Sequence, residues 1–373
     1  MTTTPPSRHT PARWRAKAAV LAATAATVAT AAAGAATIQA AAATDAPAAS
    51  VLSGPARYHY QTITVPGYRS VYLNGISDSG AYAGEACKDR NCTTVALFAA
   101  SPAGKVTFYT LPFANYSPTG PFNATATGMD NAGDVVGAYT GPHGALHGYL
   151  RKTTGAFSQI NDPKAAAGGT VADGISPDGS VIVGFYIDKA GVERGFLLRD
   201  GAFATYDVPG AQGTVVGFDN HRRFGGTYYA ANGLSRGFYV IHGRLHTVSA
   251  PAEHGARHPA LTLSAMDTAG TLFGYVDSAN LPGYGIAYAS GGYTTFRDPN
   301  EAGTGPQAGT VIYSANSNGV VAGAYTYTNG TAKQFPYAKG FIARPRGTSA
   351  VPRQGHGALE QAGVHEGLGQ VAP

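Results

Sequence analysis

Acids and imidazoles that could act on a substrate are few in this sequence, so their positions carry weight. Asp173 stands immediately before a Gly-Ile pair, His147 opens the triplet His147-Gly148-Tyr149, and Glu253 and His254 adjoin on the stretch 250–261. Gathered at one mouth of a cavity, these four would supply a general acid, a general base and an imidazole, the inventory of a polysaccharide lyase or a glycoside hydrolase. His254 and His258 have the i, i+4 spacing that places two zinc ligands on one helix face. Pro251 and Pro259 bracket them, however, and a long helix cannot run through that pair. No Gly-x-Ser-x-Gly elbow, phosphate loop or zinc-protease motif occurs in the chain.

A second set of residues suits binding rather than turnover. Tyr229 and Tyr284 fall in apparent loops, where their rings would offer a stacking surface to sugars, and Asp188, Arg194, Arg236 and His258 would supply polar contacts around them. Tyr139, Tyr186, Tyr228 and Tyr325 recur at one position of a repeat, as packing residues do. Asp130, Asp219, Asp267 and Asn316 also recur, two residues into the repeated opening. Such side chains either bond turn amides or line a ring of calcium ligands, and Ser77 and Ser176 interrupt the series. No cofactor is predicted, and calcium is the one metal that this pattern leaves open.

What must position these residues is a sixfold repeat. The clearest copy is Asp173–Gly210, with a Gly-Ile opening, a Pro177-Asp178-Gly179 turn, an apolar run through Gly184-Phe185-Tyr186, a second at 195–198 and a third at 203–208. Related openings start at Gly75, Gly128, Gly174, Gly217, Ala265 and Ser314, 43 to 53 residues apart. That period marks propellers and solenoids. Each unit alternates short runs of Val, Ile, Phe, Tyr and Thr with Gly, Pro, Asp and Asn, the pattern of strands and turns. Runs such as Val181-Ile182-Val183 are apolar without alternation, so both faces of each small sheet are expected to be buried, as they are between neighbouring blades.

The ends choose between an open and a closed array. Unit six lacks its last strand, and 58–67 is a last strand without a unit. Joining them leaves no sheet edge exposed. We therefore expect an all-β, six-bladed propeller of four-stranded blades over 57–343, its ring closed by the N-terminal strand. With that strand outermost, the strand before each Gly-Ile borders the channel, and Asn74, Thr127, Asp173, Val216, Ser264 and Tyr313 hold its last position. The site is expected on the face shared by the outer-to-inner connections and the loops between second and third strands. The repeated glycines Gly84, Gly137, Gly184, Gly226, Gly274 and Gly323 sit inside strands, where close packing or a bulge is needed to justify them.

The triplets His147-Gly148-Tyr149, Arg194-Gly195-Phe196, Arg236-Gly237-Phe238 and Lys339-Gly340-Phe341, with the Gly-Ile openings and Val-Gly-x-Tyr segments, resemble the extracellular HAF repeat proteins. The resemblance covers nearly all of the chain after its first segment. It implies an exported, propeller-like protein and brings no catalytic residues with it.

Arg8, Arg13, Arg15 and Lys17 precede an Ala/Thr-rich run with small residues at 40–43, the pattern of an export signal over 1–45. The run is too weakly apolar for a stable membrane span, and no other long apolar run follows. Removal of 1–45 takes away four basic residues and Asp45, so the formal charge falls from +5 to +2. Basic residues do not cluster along the remainder, which argues against a nucleic-acid partner. A linker is expected at 46–56 and a disordered tail at 344–373. Cys87 and Cys92 are expected to form a disulfide closing a short loop, as suits an exported protein. These observations predict a secreted monomer that binds an extracellular glycan or another small ligand. The alternatives are a carbohydrate-active enzyme with its site at the channel mouth and a structural envelope protein.

Overall fold

The computed structural model describes residues 51–52, 58–116, 123–166, 169–221, 223–251, 255–328 and 336–346. Six antiparallel four-stranded blades stand in a ring, their strands sequential in blades 1 to 5. Their innermost strands are Ser70–Ile76, Ala124–Met129, Thr170–Ile175, Gly213–Asn220, Ala260–Met266 and Thr310–Ala315 in blades 1 to 6. Each inner strand touches those of both neighbouring blades around a central channel.

The closure is the expected one. Tyr58–Ile63 forms the outer strand of blade 6, paired antiparallel with Ala338–Pro345 from Tyr58 against Pro345 to Ile63 against Gly340. The stretch expected as a linker does more than connect. Val51–Leu52 pairs in parallel with Tyr293 and Thr294, adding a fifth strand to blade 5. At the other end the last strand of blade 6 continues to Pro345, two residues past the expected boundary. The expected export signal, and the tail beyond Arg346, lie outside the described residues.

The repeated residues are the packing elements. Phe98, Tyr149, Phe196, Phe238 and Phe341, the third-strand aromatics, are completely buried. Each buried ring of this kind stabilises the fold by roughly 1.5–3 kcal/mol. The glycine before it leaves room for the next blade. A Cβ on Gly237 would come within 2.6 Å of Leu263 Cδ1, and one on Gly340 within 2.9 Å of Leu73 Cγ. The residues that carry the sequence resemblance therefore join one blade to the next.

The second-strand glycines answer to a bulge. Every inner strand carries one extra residue: Asn74, Thr127, Asp173, Gly217, Ser264 or Tyr313. A bulge turns its side chain out of the regular alternation, here toward the channel. It also drives the carbonyl two residues earlier into the space above the neighbouring strand. A Cβ on Gly84, Gly137, Gly184, Gly226, Gly274 or Gly323 would lie only 1.9–2.1 Å from that carbonyl oxygen. Glycine is therefore required opposite each bulge.

Blade 4 corrects the sequence register by one residue. The structure aligns Phe218, not Gly217, with Gly174, and it is Gly217, not Val216, that bulges. The cause is a tighter first turn. Asn220 pairs with Arg223, leaving a two-residue hairpin in which His221 takes a left-handed φ of 53°. Consequently Asn220, not Asp219, is the counterpart of Asp130 and Asp267.

Candidate functional site

One end of the channel widens into a cavity with about 540 Å³ of empty space, counting its open mouth. It is built by the last residues of the six inner strands and the turns that follow them. Polar lining comes from Asp78, Thr127, Asn131, Asp173, Asp219, Asn220, Ser264, Tyr313, Ser314, Asn316 and Ser317, and no described lining residue is Lys, Arg or His. Ile76, Met129, Ile175, Phe218 and Met266 supply the apolar part.

Most of these polar groups hold the ring together. Asn74 Nδ2 donates to Ala126 O at 2.8 Å, Thr127 Oγ1 to Ala172 O at 2.6 Å and Ser264 Oγ to Ile312 O at 3.1 Å. In each case the bulged side chain ties its blade to the residue preceding the next blade's bulge. The turns add a second belt. Asp78 accepts from the Ser317 amide of blade 6 (2.8 Å) and from Asn131 Nδ2 of blade 2 (2.7 Å), clamping the seam where the chain ends meet. Thr268 donates to Ser317 O, and Asn220 Nδ2 to Met266 O.

Two carboxylates depart from this pattern, in adjacent blades. Asp173 occupies the bulge that carries a tying donor in blades 1, 2 and 5, and an ionised carboxylate has no hydrogen to donate. Beside it the next bulge residue is Gly217. A Cβ there would lie 3.7 Å from Asp173 Oδ2, so glycine leaves space alongside the acid. Asp219 stands where the other blades have Ile76, Met129, Ile175, Met266 and Ala315, and it is 4% exposed. Asn220 Oδ1 and Ser317 Oγ, both buried, have no hydrogen-bond partner among the described protein groups. The mouth thus brings two carboxylates and two buried acceptor-capable oxygens together beside the rings of Phe218 and Tyr313.

Of the catalytic and binding candidates among the described residues, Asp173 alone lines this cavity. His147 lies in the third strand of blade 2, at the far end of the channel. Its Nδ1 is 3.0 Å from Asn161 Oδ1 and its ring stacks on Tyr139 with centroids 5.1 Å apart. Glu253 and His254 lie outside the described residues. The described residues therefore do not assemble the acid and imidazole set of a lyase or hydrolase.

The expected binding residues have other partners. Asp188 Oδ1 accepts from the amides of Ala190 and Val192, and Arg194 bridges Asp188 (2.8 Å) and Asp207 (3.2 Å). Burial works against ionisation of both acids. Hydrogen bonds from the Val192 amide and Arg194 outweigh it at Asp188, whose pKa is lowered, while Asp207 stays raised. Tyr284 is 4% exposed beneath the Arg297 guanidinium and offers no stacking face, contrary to expectation. The Tyr229 hydroxyl is buried, and that burial together with the neighbouring Glu193 carboxylate pushes its pKa far up. Arg236 pairs with Tyr228 in the third strand of blade 4, and His258 is exposed on a loop with a left-handed φ of 51°.

The repeated Asx positions are turn residues. Asp130 Oδ1 accepts from the Asp134 amide, Asp267 Oδ1 from Thr271 and Asn316 Oδ1 from Val320, while Ser77 and Ser176 do the same for Ala81 and Val181. At each position one side-chain oxygen is thus committed to a turn amide. Among the described residues no group of three His, Cys, Asp or Glu side chains is placed to hold a metal. Cys87 and Cys92 form the expected disulfide, with Cα atoms 5.0 Å apart. No described helix is long and apolar enough to cross a membrane.

No family model matches the chain, and no curated protein matches it. Solved structures do resemble it. Aleuria aurantia lectin in complex with α-methyl-L-fucoside aligns at 11% identity and a TM-score of 0.43, over 71% of this chain and 90% of the lectin. A gluconolactonase from Xanthomonas campestris aligns at 13% and 0.41, over 78% and 91%. The propeller domain of the trilobed protease from Pyrococcus furiosus aligns at 7% and 0.39, over 72% and 94%. A sugar binder, a lactonase and a protease domain are similar to this chain at the same level, so its ligand has to be read from its own site.

Proposed function

We propose that this chain is an exported glycan-binding propeller that takes a neutral or amino sugar at the acidic mouth of its channel. One observation carries the proposal. In blades 3 and 4, next to each other, carboxylates replace a tying donor (Asp173) and an apolar side chain (Asp219), and both line one cavity. A residue repeated in every blade serves the blade, whereas one whose type departs from the repeat in a single blade marks where a ligand site can differ from the scaffold. Sugar hydroxyls are donors that would match these acceptors, and buried acceptors discriminate strongly against ligands that cannot donate. Tyr313, half-buried at the mouth, offers an apolar face to the sugar ring. The two carboxylates at the mouth disfavour uronates and sulfated sugars by charge repulsion.

Export is supported by the basic, Ala/Thr-rich N-terminal pattern and by the buried Cys87–Cys92 disulfide, a bond that persists in oxidising compartments. We retain the relation to the extracellular HAF repeat proteins as part of this proposal. The residues behind it are joints between blades, so it bears on the scaffold and not on the ligand.

The test is an array of neutral, amino and acidic glycans probed with the purified protein, alongside assays for new reducing ends and unsaturated uronates. Binding of neutral or amino sugars without turnover is expected, and its loss in Asp173→Asn and Asp219→Asn. Retention in both variants, or turnover of a bound glycan, would refute the proposal.

A further inference from the structure

The first turn of blade 4 leaves an acceptor behind. In the other blades the residue that opens this turn, Ser77, Asp130, Ser176, Asp267 or Asn316, gives a side-chain oxygen to an amide four or five residues on. Asn220 holds that place in blade 4. Its hairpin has only two residues, and the amide four positions on belongs to Phe224, already in the ladder opposite Asp219. Asn220 Nδ2 keeps the tie to the next blade, donating to Met266 O at 2.8 Å as Asn316 Nδ2 donates to Ser77 O at 3.0 Å. That bond fixes the amide, because exchanging its O and N would set two carbonyl oxygens against each other. Asn220 Oδ1 is therefore an acceptor with no partner among the described protein groups, on a residue 3% exposed that lines the channel mouth.

Ser317 Oγ is a second such atom, on a residue 9% exposed that lines the same cavity. The Ser317 backbone is fully engaged. Its amide donates to Asp78 Oδ1 at 2.8 Å, and its carbonyl accepts from Thr268 N at 3.1 Å and Thr268 Oγ1 at 2.8 Å. The other donor to Asp78 is Asn131 Nδ2. Both donors are neutral, so the negative charge of Asp78 stands beside Ser317, and Asp173 and Asp219 line the same mouth. A buried acceptor favours a ligand that donates to it, and a mouth lined by carboxylates favours a donor that carries positive charge. A primary ammonium combines the two, with three N–H donors and no acceptor. Building on the glycan reading of the mouth, we infer that its ligand is a sugar with a free primary amine, selected through Asn220 and Ser317. An N-acetyl group in place of the amine removes the charge and brings a carbonyl against these acceptors.

The test is calorimetric titration of the full chain, at mildly acidic pH, with β-linked oligomers of glucosamine, N-acetylglucosamine and glucose. These share one backbone and differ only at C2. Glucosamine oligomers should bind ~10-fold or more tightly than the other two, as expected for a charge-assisted contact. Ser317→Ala removes a hydroxyl with no protein partner, so its melting temperature should be equal to or above that of wild type, while the preference for the amine narrows. Asn220→Ala should narrow the preference too, with some loss of stability because the tie to Met266 O goes with it. Oligolysine, a cation without a sugar ring, should bind more weakly than the glucosamine oligomers. Glucose or N-acetylglucosamine oligomers bound as tightly as glucosamine oligomers would overturn this inference and leave the glycan reading standing. So would a full amine preference in both variants. Tighter binding of oligolysine, or no binding of any of the three oligomers, would overturn the inference, and failure of every glycan on the array would take the glycan reading with it.

Discussion

The bulges that aim side chains into the channel exist only because glycine faces them, and Gly184→Ala tests this. The new Cβ would lie 2.0 Å from Val171 O and 3.0 Å from both Asp173 N and Phe196 Cε1. The first contact is far inside any real one, so the inner strand of blade 3 must move by about 1 Å at Val171. It is not free to do so, because Val171 pairs with Phe185 and Gly184 with both Ala172 and Phe196 in the ladder. Overpacking of a fixed core typically costs ~1–3 kcal/mol. With backbone on both sides of the clash, about 3 kcal/mol or more is expected, a large part of the ~5–15 kcal/mol that stabilises a typical protein. Gly292→Ala is the control. It lies in a strand without a left-handed φ, and its nearest neighbour would be Ala289 O at 3.8 Å, so it should be neutral or stabilising by up to ~1 kcal/mol. Urea unfolding monitored by circular dichroism gives both values, provided the m-values agree. Gly184→Ala within about 1 kcal/mol of wild type, or equal to Gly292→Ala, would refute the bulge argument.

Truncation through Ile63 removes the outer strand of blade 6 and bares the edge of Ala338–Pro345, so the product should aggregate, as read by light scattering, while truncation through Leu52 should leave a soluble ring. Replacing both Cys87 and Cys92 by Ser opens only a short loop, so about 2 kcal/mol should be lost, with hydrogen exchange rising mainly around 88–94. Asp178 accepts from Ser176 Oγ, Ser180 N and Ser180 Oγ, which lowers its pKa to about 2. A lowered folded-state pKa gives stability that is present above the ordinary value of 3.8 and is lost as pH falls toward 2. The melting temperatures of wild type and Asp178→Asn should therefore converge across that window, and a gap that stays constant down to pH 2 would contradict the assignment.

The fold was legible because its period, its strand glycines and its split sixth blade are written locally. Register was less so. The two-residue hairpin at His221 shortens blade 4's first turn, and a repeat aligned on Gly217 hides the change; this concealed Asp219 as an acid in an apolar position. Counting the pairing back from Gly226 would have exposed it only with the bulge already known. Loop residues misled for another reason. Asp188 and Arg194 look available in sequence, yet they satisfy each other and Asp207 across a turn. Tyr284 reads as a loop tyrosine but lies at the start of a strand and under a guanidinium. The contacts between blades 6 and 1 join residues as much as 268 positions apart, a proximity that only ring closure creates.

The central claim is that Asp173 and Asp219 accept hydrogen bonds from a sugar at the channel mouth. Isothermal titration of wild type and Asp173→Asn with a glycan retained on the array tests it most directly. Asparagine keeps the shape and removes the charge, so affinity weakened by ~10-fold or more, the loss of one charged acceptor, is the predicted result. Equal affinity in the two proteins, at equal stability, would contradict it.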